Sequence, residues 1–225
     1  MSRYQLILGS SSPRRVDLLR QIGLTFQIVK PETDEIIQEG ESPEDYALRN
    51  SREKALWVDQ NVIAPSRSTG SDKTVIISAD TIVVIDGKTL EKPLHHEDAR
   101  RMLKCLSGRT HTVITGVTLL GPSKPGIRTS PPNTDLETSR HMISFNVHTN
   151  VTLKHLSDAE ISSYIRSGEP LDKAGAYAAQ GVGSYMVERI EGSYANVVGL
   201  PVCDVVKKLD EHFGFQLWEH SAPSN

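Results

Sequence analysis

Strand-like and helix-like segments alternate along this 225-residue chain. The run VIISADTIVVI, residues 75–85, is apolar or β-branched at nearly every position, so we expect a strand buried on both faces of a sheet. Shorter strand patterns precede it at residues 5–8 and 25–29, and residues 110–120 and 141–153 predict a pair of long strands.

Start and stop signals place helices between these strands. Ser12 and Pro13 suit the N-cap and N1 positions of a first helix whose stripe of Leu18, Leu19 and Ile22 ends before Gly23. Four more helices are predicted: one from Ser42-Pro43 to about residue 58, one over 95–106, one from Ser157 to Arg166 and one from Pro201.

Hairpin and loop signals complete the fold prediction. Asp86-Gly87 marks a hairpin turn, and residues 192–201 predict a turn, a strand and then the last helix. The alternation predicts a single α/β domain, residues 1–225, around a mixed sheet. Residues 64–74 and 121–140 are rich in Pro, Ser and Thr, and we expect both to be flexible, dispensable surface loops.

The composition argues against several classes of protein, including those that bind nucleic acid polymers, those stabilised by disulfides and those that span membranes. A formal net charge of −3 argues against a broad basic face that binds a nucleic acid polymer. Cys105 and Cys203 are far apart and lack the spacing of a metal site or a disulfide framework, which is typical of ordinary thiols in a reducing compartment. The chain starts in an apolar strand without a signal-peptide pattern, and no apolar run has membrane-spanning length. We therefore expect a cytoplasmic protein that does not bind membranes.

The pair Arg14-Arg15 follows directly on the predicted start of the first helix. Cations there oppose the helix dipole by about 0.3–1 kcal/mol each, whereas a bound phosphate would meet free N–H groups, the dipole and the guanidinium groups together. No P-loop pattern is present, so a phosphate cradle here would use Ser10, Ser11 and Ser12 with arginine. The alternative is that both arginines point to solvent.

Asp80 interrupts the most apolar strand of the chain. A carboxylate there needs a hydrogen bond, a proton or a cation to offset its desolvation, either as a cap of a turn or as part of a functional site. Lys54 lies seven residues after Ala47 and therefore on the same helix face, towards the body of the protein. It could meet an anion there, or it could extend its ammonium group to water at the helix edge.

The remaining chemistry points to a hard cation. Glu35, Glu91 and Lys92 lie at predicted strand ends or turns, where functional groups are often presented. The histidines show no zinc spacing, and no hydrolase nucleophile motif occurs. Carboxylates with arginines and lysines suit Mg²⁺ or Mn²⁺ shared between acidic side chains and substrate phosphates.

A series of eight motifs resembles one known family over nearly the whole chain. In chain order they are Ser10-x-Ser12-Pro13-Arg14-Arg15, Arg52-Glu53-Lys54-Ala55, Ala79-Asp80-Thr81-Ile82-Val83, Glu91-Lys92-Pro93, Ser107-Gly108-x-Thr110-His111, Glu169-Pro170-x-x-Lys173-Ala174-Gly175-x-Tyr177, Gln180-Gly181 and Asn196-Val197-Val198-Gly199-Leu200-Pro201. This series resembles the Maf family of nucleoside triphosphate pyrophosphatases.

The resemblance implies an activity and a fold. Members hydrolyse a nucleoside triphosphate between the α and β phosphates with a divalent metal, as a house-cleaning step on the nucleotide pool. The Asp80-Thr81 pair resembles the branch that prefers dTTP and UTP, because the sister branch that acts on 7-methylguanosine triphosphate has Asp-Gln. The implied fold, of the Maf and inosine triphosphate pyrophosphatase type, has two lobes around a mixed twisted sheet with a central cleft, and it is often a homodimer.

The resemblance also implies roles for single residues, carried over by position. Asp80 matches the proton acceptor of the family. The positions of the phosphate and metal surround are Ser10, Arg14, Arg15, Glu35, Lys54 and Lys92, with Glu35 and Asp80 as the metal ligands. Arg14, Thr81 and Gln180 match positions associated with base choice. Ala178-Ala179 stands where many members carry Gly and a bulkier aliphatic residue, so the resemblance does not fix the shape of the base pocket.

Two competing functions are compatible with this sequence. The chain could be a pyrophosphatase for modified or other bases, such as methylated pyrimidine nucleotides. It could also be a nucleotide sensor in growth or division that binds triphosphate without relevant turnover. A sensor needs the cations but not a base, so the presence of Asp80 beside the basic set favours an enzyme.

Overall fold

The computed structural model describes residues 4–66, 73–122 and 140–220. Its strands are β1 (Gln5–Gly9), β2 (Gln27–Val29), β3 (Thr74–Ile85), β4 (Lys88–Leu90), β5 (Thr110–Pro122), β6 (Arg140–Leu153) and β7 (Val187–Glu191). They form one sheet in the order β2-β1-β3-β5-β6-β7, with β4 paired to β3. β1 is parallel to β2 and β3 and the other pairs are antiparallel, so the predicted α/β domain around a mixed sheet is confirmed.

The predicted helix starts and stops are largely confirmed. The helices are α1 (Pro13–Gln21), α2 (Pro43–Val58), α3 (His96–Leu106), α4 (Asp158–Arg166), α5 (Tyr194–Val198), α6 (Val202–Phe213) and α7 (Leu217–His220). Ser42 caps α2 by accepting from the Asp45 amide, and Ser157 with Glu160 forms the predicted capping box of α4. α1 ends at Gln21, so Ile22 lies at its C-cap and not in its last turn.

Two hydrophobic cores lie at opposite ends of the long strands β3 and β5. Val75 and Ile77 of β3 pack in the first core with residues of α1 and α6. Val83 and Ile85 pack in the second core with residues of α3 and α4. The middle of β3, which carries Asp80, therefore lies between two packed lobes.

Helix α2 covers the opposite face of the same strands. Ile76 packs with Ala55 of α2, and Ile82 packs with Ala47. The approach is close at Gly116 of β5, where a Cβ atom would lie 2.4 Å from the Ala47 carbonyl oxygen. This contact brings the inner face of α2 directly over the middle of β3.

The segment between α4 and α6 differs most from the sequence prediction. Residues 194–198 form helix α5, so the strand predicted within residues 192–201 is wrong. Ser193 caps α5 by accepting from the Asn196 amide, and this local signal outweighs the β propensity of Val197 and Val198. Strand β7 and the 3₁₀ turns Glu169–Asp172, Ala174–Ala176 and Gly181–Met186 were not predicted.

Parts of both predicted loops lie outside the described residues, namely 67–72 and 123–139. The described residues at their edges belong to regular elements. Ala64–Ser66 forms a 3₁₀ turn, and the β5–β6 ladder continues to the pair Pro122 and Arg140. Within the described ranges, every helix is too short or too polar to span a bilayer.

Candidate active site

The residues singled out from the sequence converge on one cleft between the two lobes. Its volume is about 700 Å³. The N-terminal end of α1, α2, the middle of β3 and the turns around residues 92, 180 and 199 contribute to its wall. Nine candidate residues line it: Ser10, Arg14, Arg15, Glu35, Lys54, Asp80, Thr81, Lys92 and Gln180.

Lys54 joins two carboxylates inside this cleft. Its Nζ lies 2.6 Å from Asp80 Oδ1 and 2.6 Å from Glu35 Oε1. The side chains of Lys54 and Asp80 are only 9% and 11% exposed. Of the two readings of Lys54, an inward anion contact is therefore the observed one. Because Asp80 is paired within a strand and not placed at a turn, the turn-cap reading of this residue is wrong.

Asn50 binds the second oxygen of Asp80. One turn before Lys54 on α2, it donates from Nδ2 to Asp80 Oδ2 at 3.0 Å. Burial alone would raise the pKa of Asp80, but attraction and a hydrogen bond from Lys54, the charge of Arg15 and the Asn50 bond together hold that pKa below its usual value. Asp80 is thus held as a buried carboxylate anion with both oxygens engaged.

Arg15 ties three elements of the cleft together. Its Nε donates to the Gly199 carbonyl at 2.8 Å, and its two terminal nitrogens donate to Ser10 Oγ at 3.2 Å and Thr81 Oγ1 at 3.0 Å. Burial lowers its pKa, and the charges of Asp80 and Glu35 oppose that shift. Arg15 is therefore a cation of the cleft that also holds the β3 residue Thr81 against the Gly199 turn.

Arg14 faces the opposite lobe. Its guanidinium lies 3.6 Å from the carboxylate of Asp172, and its side chain is 30% exposed. Ser12 occupies the N-cap of α1 as predicted, but its side chain makes no capping bond, and α1 has no acidic residue in its first turn. The N-terminal end of α1 therefore faces the cleft with Arg14 and Arg15 beside it.

Further charged side chains of the cleft lie around Glu35 and in the turn at residues 91–92. Lys92 is mostly exposed, and its Nζ lies 3.6 Å from Glu35 Oε2. Tyr46 of α2 donates its hydroxyl hydrogen to Glu91 Oε1 at 2.5 Å, and the same hydroxyl lies 3.2 Å from the Glu35 carbonyl oxygen. The contact with the Glu35 carbonyl attaches the segment that carries Glu35, residues 30–42, to α2, and the bond to Glu91 attaches the residues that follow β4.

Sequence reasoning missed several residues of this cleft. Asn50 and Tyr46 gave no signal of their own. Tyr46, Asn50 and Lys54 are each four residues apart, however, and therefore lie on one face of α2. Lys30 and Asp172 also line the cleft and were not singled out. The packing of α2 on β3 brings the Asn50 amide to Asp80 and shows why that residue matters.

The donor set fits a divalent cation of the Mg²⁺ type. Glu35 and Asp80 each place an oxygen within 2.6 Å of the same Lys54 nitrogen, so both carboxylates reach one point. Mg²⁺ sites commonly use one or two carboxylates and complete their coordination with substrate phosphates. No cluster of three or more His, Cys, Asp or Glu side chains suited to metal binding occurs in the described part of the chain.

Comparison with known proteins agrees with the family resemblance. The profile of the family described as Maf-like protein matches residues 5–212. A dTTP/UTP pyrophosphatase of Geotalea uraniireducens (strain Rf4) is 44% identical over 208 residues, which cover 92% of this chain and 95% of the relative. That of Anaeromyxobacter dehalogenans (strain 2CP-C) is 43% identical over 216 residues, covering 96% and 97%. That of Geobacter sulfurreducens (strain ATCC 51573 / DSM 12127 / PCA) is 42% identical over 209 residues, covering 93% and 97%. From the matched length and these identities, the chain belongs to the Maf-like protein family.

Proposed function

We propose that this protein is a nucleoside triphosphate pyrophosphatase that favours dTTP and UTP and releases a nucleoside monophosphate and pyrophosphate. The observation that carries the proposal is the buried Lys54–Asp80 pair in a cleft lined by further cations. The names of the relatives, dTTP/UTP pyrophosphatase, support the same activity.

The charge of the cleft suits a polyphosphate. The cationic side chains that line it are Arg14, Arg15, Lys30, Lys54, Lys92 and Lys173, against the carboxylates Glu35, Asp80, Glu91 and Asp172. The N-terminal end of α1 adds backbone N–H groups and the positive end of its dipole. We infer that Ser10, Arg14, Arg15, Lys54 and Lys92 form the phosphate surround.

Asp80 acts as the base in the hydrolytic step. It accepts a proton from a water molecule whose oxygen forms a bond to the α-phosphorus. The bond between the α-phosphorus and the oxygen bridging to the β-phosphorus breaks, and its electron pair leaves with pyrophosphate. The cations of the cleft stabilise the negative charge that develops on the leaving group.

Lys54 links substrate binding to the basicity of Asp80. Lys54 donates to Asp80 Oδ1 and holds the carboxylate in its ionised form. When the Lys54 ammonium group turns to a phosphate oxygen, Asp80 loses an ion-pair partner in a buried site, which raises its affinity for a proton. This change in Lys54 contacts favours proton uptake by Asp80, whereas a cation held by Asp80 opposes it.

A divalent cation, Mg²⁺ or Mn²⁺, belongs to this proposal. Glu35 and Asp80 would hold it together with phosphate oxygens of the substrate. When bound, it supplies charge neutralisation and a lowered pKa of coordinated water. Its removal by a chelator is expected to abolish turnover, and addition of Mg²⁺ is expected to restore it.

Base choice is assigned to Arg14, Thr81 and Gln180. Gln180 lines the cleft, and its amide offers both a donor and an acceptor, which can match the uracil or thymine edge. Thr81 Oγ1 lies in a bonded network with Arg15 and Thr115, 3.0 Å from each partner, so its position is fixed.

We further propose a cytoplasmic, house-cleaning enzyme that acts as a homodimer and binds neither membranes nor nucleic acid polymers. The net charge of −3 and two free cysteines support the compartment and the absence of a nucleic-acid face. The dimer rests on the family resemblance alone, and light scattering of the purified protein tests it.

A pyrophosphate-release assay tests the proposal. The wild-type protein with Mg²⁺ is compared with Asp80→Asn on dTTP, UTP, CTP, GTP, ATP and methylated pyrimidine triphosphates. We expect release mainly from dTTP and UTP, and a fall in kcat of at least about 100-fold in the variant, whose amide cannot accept the proton. Preference for a methylated nucleotide would favour the modified-base pyrophosphatase, and triphosphate binding without any release would favour the sensor.

A further inference from the structure

We propose that Glu169 is a positioning residue for base selection, because its carboxylate anchors the turn that directly follows Gln180. Glu169 Oε2 accepts from the Val182 amide at 3.0 Å, and Oε1 accepts from the Gly183 amide at 3.0 Å. This inference rests on the proposed function, since Gln180 is assigned there to base choice. Glu169 acts through this turn and is not assigned any contact with substrate.

The turn and the carboxylate fit each other closely. Gly181 has a φ of +69°, and a Cβ atom there would lie 3.0 Å from Glu169 Oε2. Gln180 itself is extended, with φ −125° and ψ 164°. The backbone therefore changes direction immediately after Gln180, and Glu169 holds the two amides that follow the change.

Glu169 is fixed on its other side to the second core. The buried Tyr164 of α4 donates its hydroxyl to Glu169 Oε1 at 3.1 Å. Burial and the neighbouring Glu169 charge raise the pKa of Tyr164, so its hydroxyl keeps the proton that it donates. Lys173 Nζ donates to the Glu169 carbonyl at 2.8 Å, and Pro170 is buried. The carboxylate is thus part of the packed lobe.

The same short turn reaches a second residue assigned to base choice. The 3₁₀ turn Glu169–Asp172 begins with Glu169, whose carboxylate holds the turn after Gln180. It ends at Asp172, which lies 3.6 Å from Arg14 across the cleft. One element thus contacts the surroundings of both Gln180 and Arg14. Its geometry is a means of fixing the two side chains relative to each other.

Selection between bases depends on such placement. A site that pairs its polar groups with the correct base edge rejects the wrong base only while those groups are held in position. Hydrogen bonds from backbone N–H groups to a carboxylate are stronger than neutral ones, so their loss frees the turn. We therefore expect loss of the carboxylate to reduce discrimination more than it reduces nucleotide binding overall.

Calorimetric binding of α,β-methylene UTP and α,β-methylene CTP tests this inference. The variants are Glu169→Ala, which removes the acceptors, and the milder Glu169→Gln, which keeps one and protects against a folding failure. We define the Kd ratio as the Kd for α,β-methylene CTP divided by the Kd for α,β-methylene UTP. We expect this ratio to fall by about tenfold in Glu169→Ala and by less in Glu169→Gln. A ratio is insensitive to the fraction of folded protein, so a purely structural role would not change it.

Glu160→Gln is the matched control. Glu160 also accepts a backbone amide, that of Ser157 at 2.8 Å, and lies on α4 of the same lobe, but it does not line the cleft. We expect its Kd ratio to equal that of the wild type.

An unchanged ratio in both Glu169 variants would overturn the inference, and so would a wild-type protein that binds both analogues equally. These analogues resist cleavage between the α and β phosphates, so the outcome is separate from that of the pyrophosphate-release assay. Failure of that assay with a selective, Glu169-dependent Kd ratio would overturn the proposed hydrolysis alone.

Discussion

Lys54 Nζ lies 2.6 Å from Asp80 Oδ1, and this buried ion pair joins helix α2 to the middle of strand β3. The same nitrogen lies 2.6 Å from Glu35 Oε1, so one ammonium group pairs with two carboxylates. Removing the cation of a buried ion pair leaves an unpaired carboxylate and is strongly destabilising. Removing the cation and the carboxylate together is much less so.

This relationship predicts a non-additive effect on stability. Lys54→Met is expected to lower the free energy of unfolding by about 3 kcal/mol, since it leaves Asp80 and Glu35 without their shared partner. Combining it with Asp80→Asn is expected to recover most of the loss. Urea unfolding at pH 7 measures both changes. Lys104→Met, which breaks the exposed pair with Asp158, is the control and should leave the free energy of unfolding nearly unchanged. Additive losses in the double variant would contradict this account of the pair.

The two neighbouring arginines are expected to differ. Arg14 makes one long ion pair with Asp172, so Arg14→Ala should raise the KM for dTTP by about tenfold or more without a change in Tm. Arg15 bonds Ser10, Thr81 and Gly199, so Arg15→Ala should also lower the Tm by several degrees. Steady-state kinetics and thermal unfolding measure the two effects. An unchanged KM in Arg14→Ala would return Arg14 to the role of a solvated surface charge.

His111 predicts a pH dependence of stability below neutrality. It is 3% exposed, its Nε2 lies 2.7 Å from the Tyr177 hydroxyl, and burial lowers its pKa to about 4. Between pH 6.5 and 4 the unfolded chain binds a proton on this histidine that the folded chain does not, so stability falls as the pH falls. The contribution reaches about 3 kcal/mol at pH 4.

Comparison with His111→Gln isolates this contribution from that of the carboxylates. Glutamine is neutral throughout and retains a polar group towards Tyr177. We expect the free energy of unfolding of the wild type to decline more steeply than that of the variant from pH 6.5 to pH 4. Parallel declines would mean that His111 takes up its proton in the folded protein as readily as in the unfolded one.

The insertion between β5 and β6 is predicted to be dispensable. The two strands pair in register up to Pro122 and Arg140, so a short connection can join them at that point. Replacing residues 123–138 by a short Gly-Ser linker should leave kcat/KM for dTTP within about twofold of the wild-type value. A large loss of activity in a variant with an unchanged Tm would assign these residues a part in function.

Local signals explain why much of the fold could be predicted. Ser42 with Asp45 and Ser157 with Glu160 are capping pairs within one turn, and the continuous apolar run of β3 requires cover on both faces. The stretch that contains α5 lacked such clarity, because Val197 and Val198 favour strands while the Ser193 cap favours a helix. Which signal prevails depends on packing against the sheet.

The residues of the candidate site also fall into those that the sequence could identify and those that it could not. Asp80 and Lys54 could be identified because a charge in an apolar strand and a lysine on an inner helix face each need a partner. Asn50 could not, since an asparagine within a helix is unremarkable until α2 is placed over β3 and its amide meets Asp80 Oδ2. Glu169 likewise gains its meaning only from two amides that lie 13 and 14 residues further along the chain.

The most direct test of the central claim is to determine which phosphorus atom of the nucleoside triphosphate the water attacks. The wild-type protein is incubated with dTTP and Mg²⁺ in water enriched in ¹⁸O, and mass spectrometry locates the label. We predict one ¹⁸O atom in the dTMP and none in the pyrophosphate, because the water attacks the α-phosphorus. Label in the pyrophosphate, or release of orthophosphate with a nucleoside diphosphate, would contradict the account.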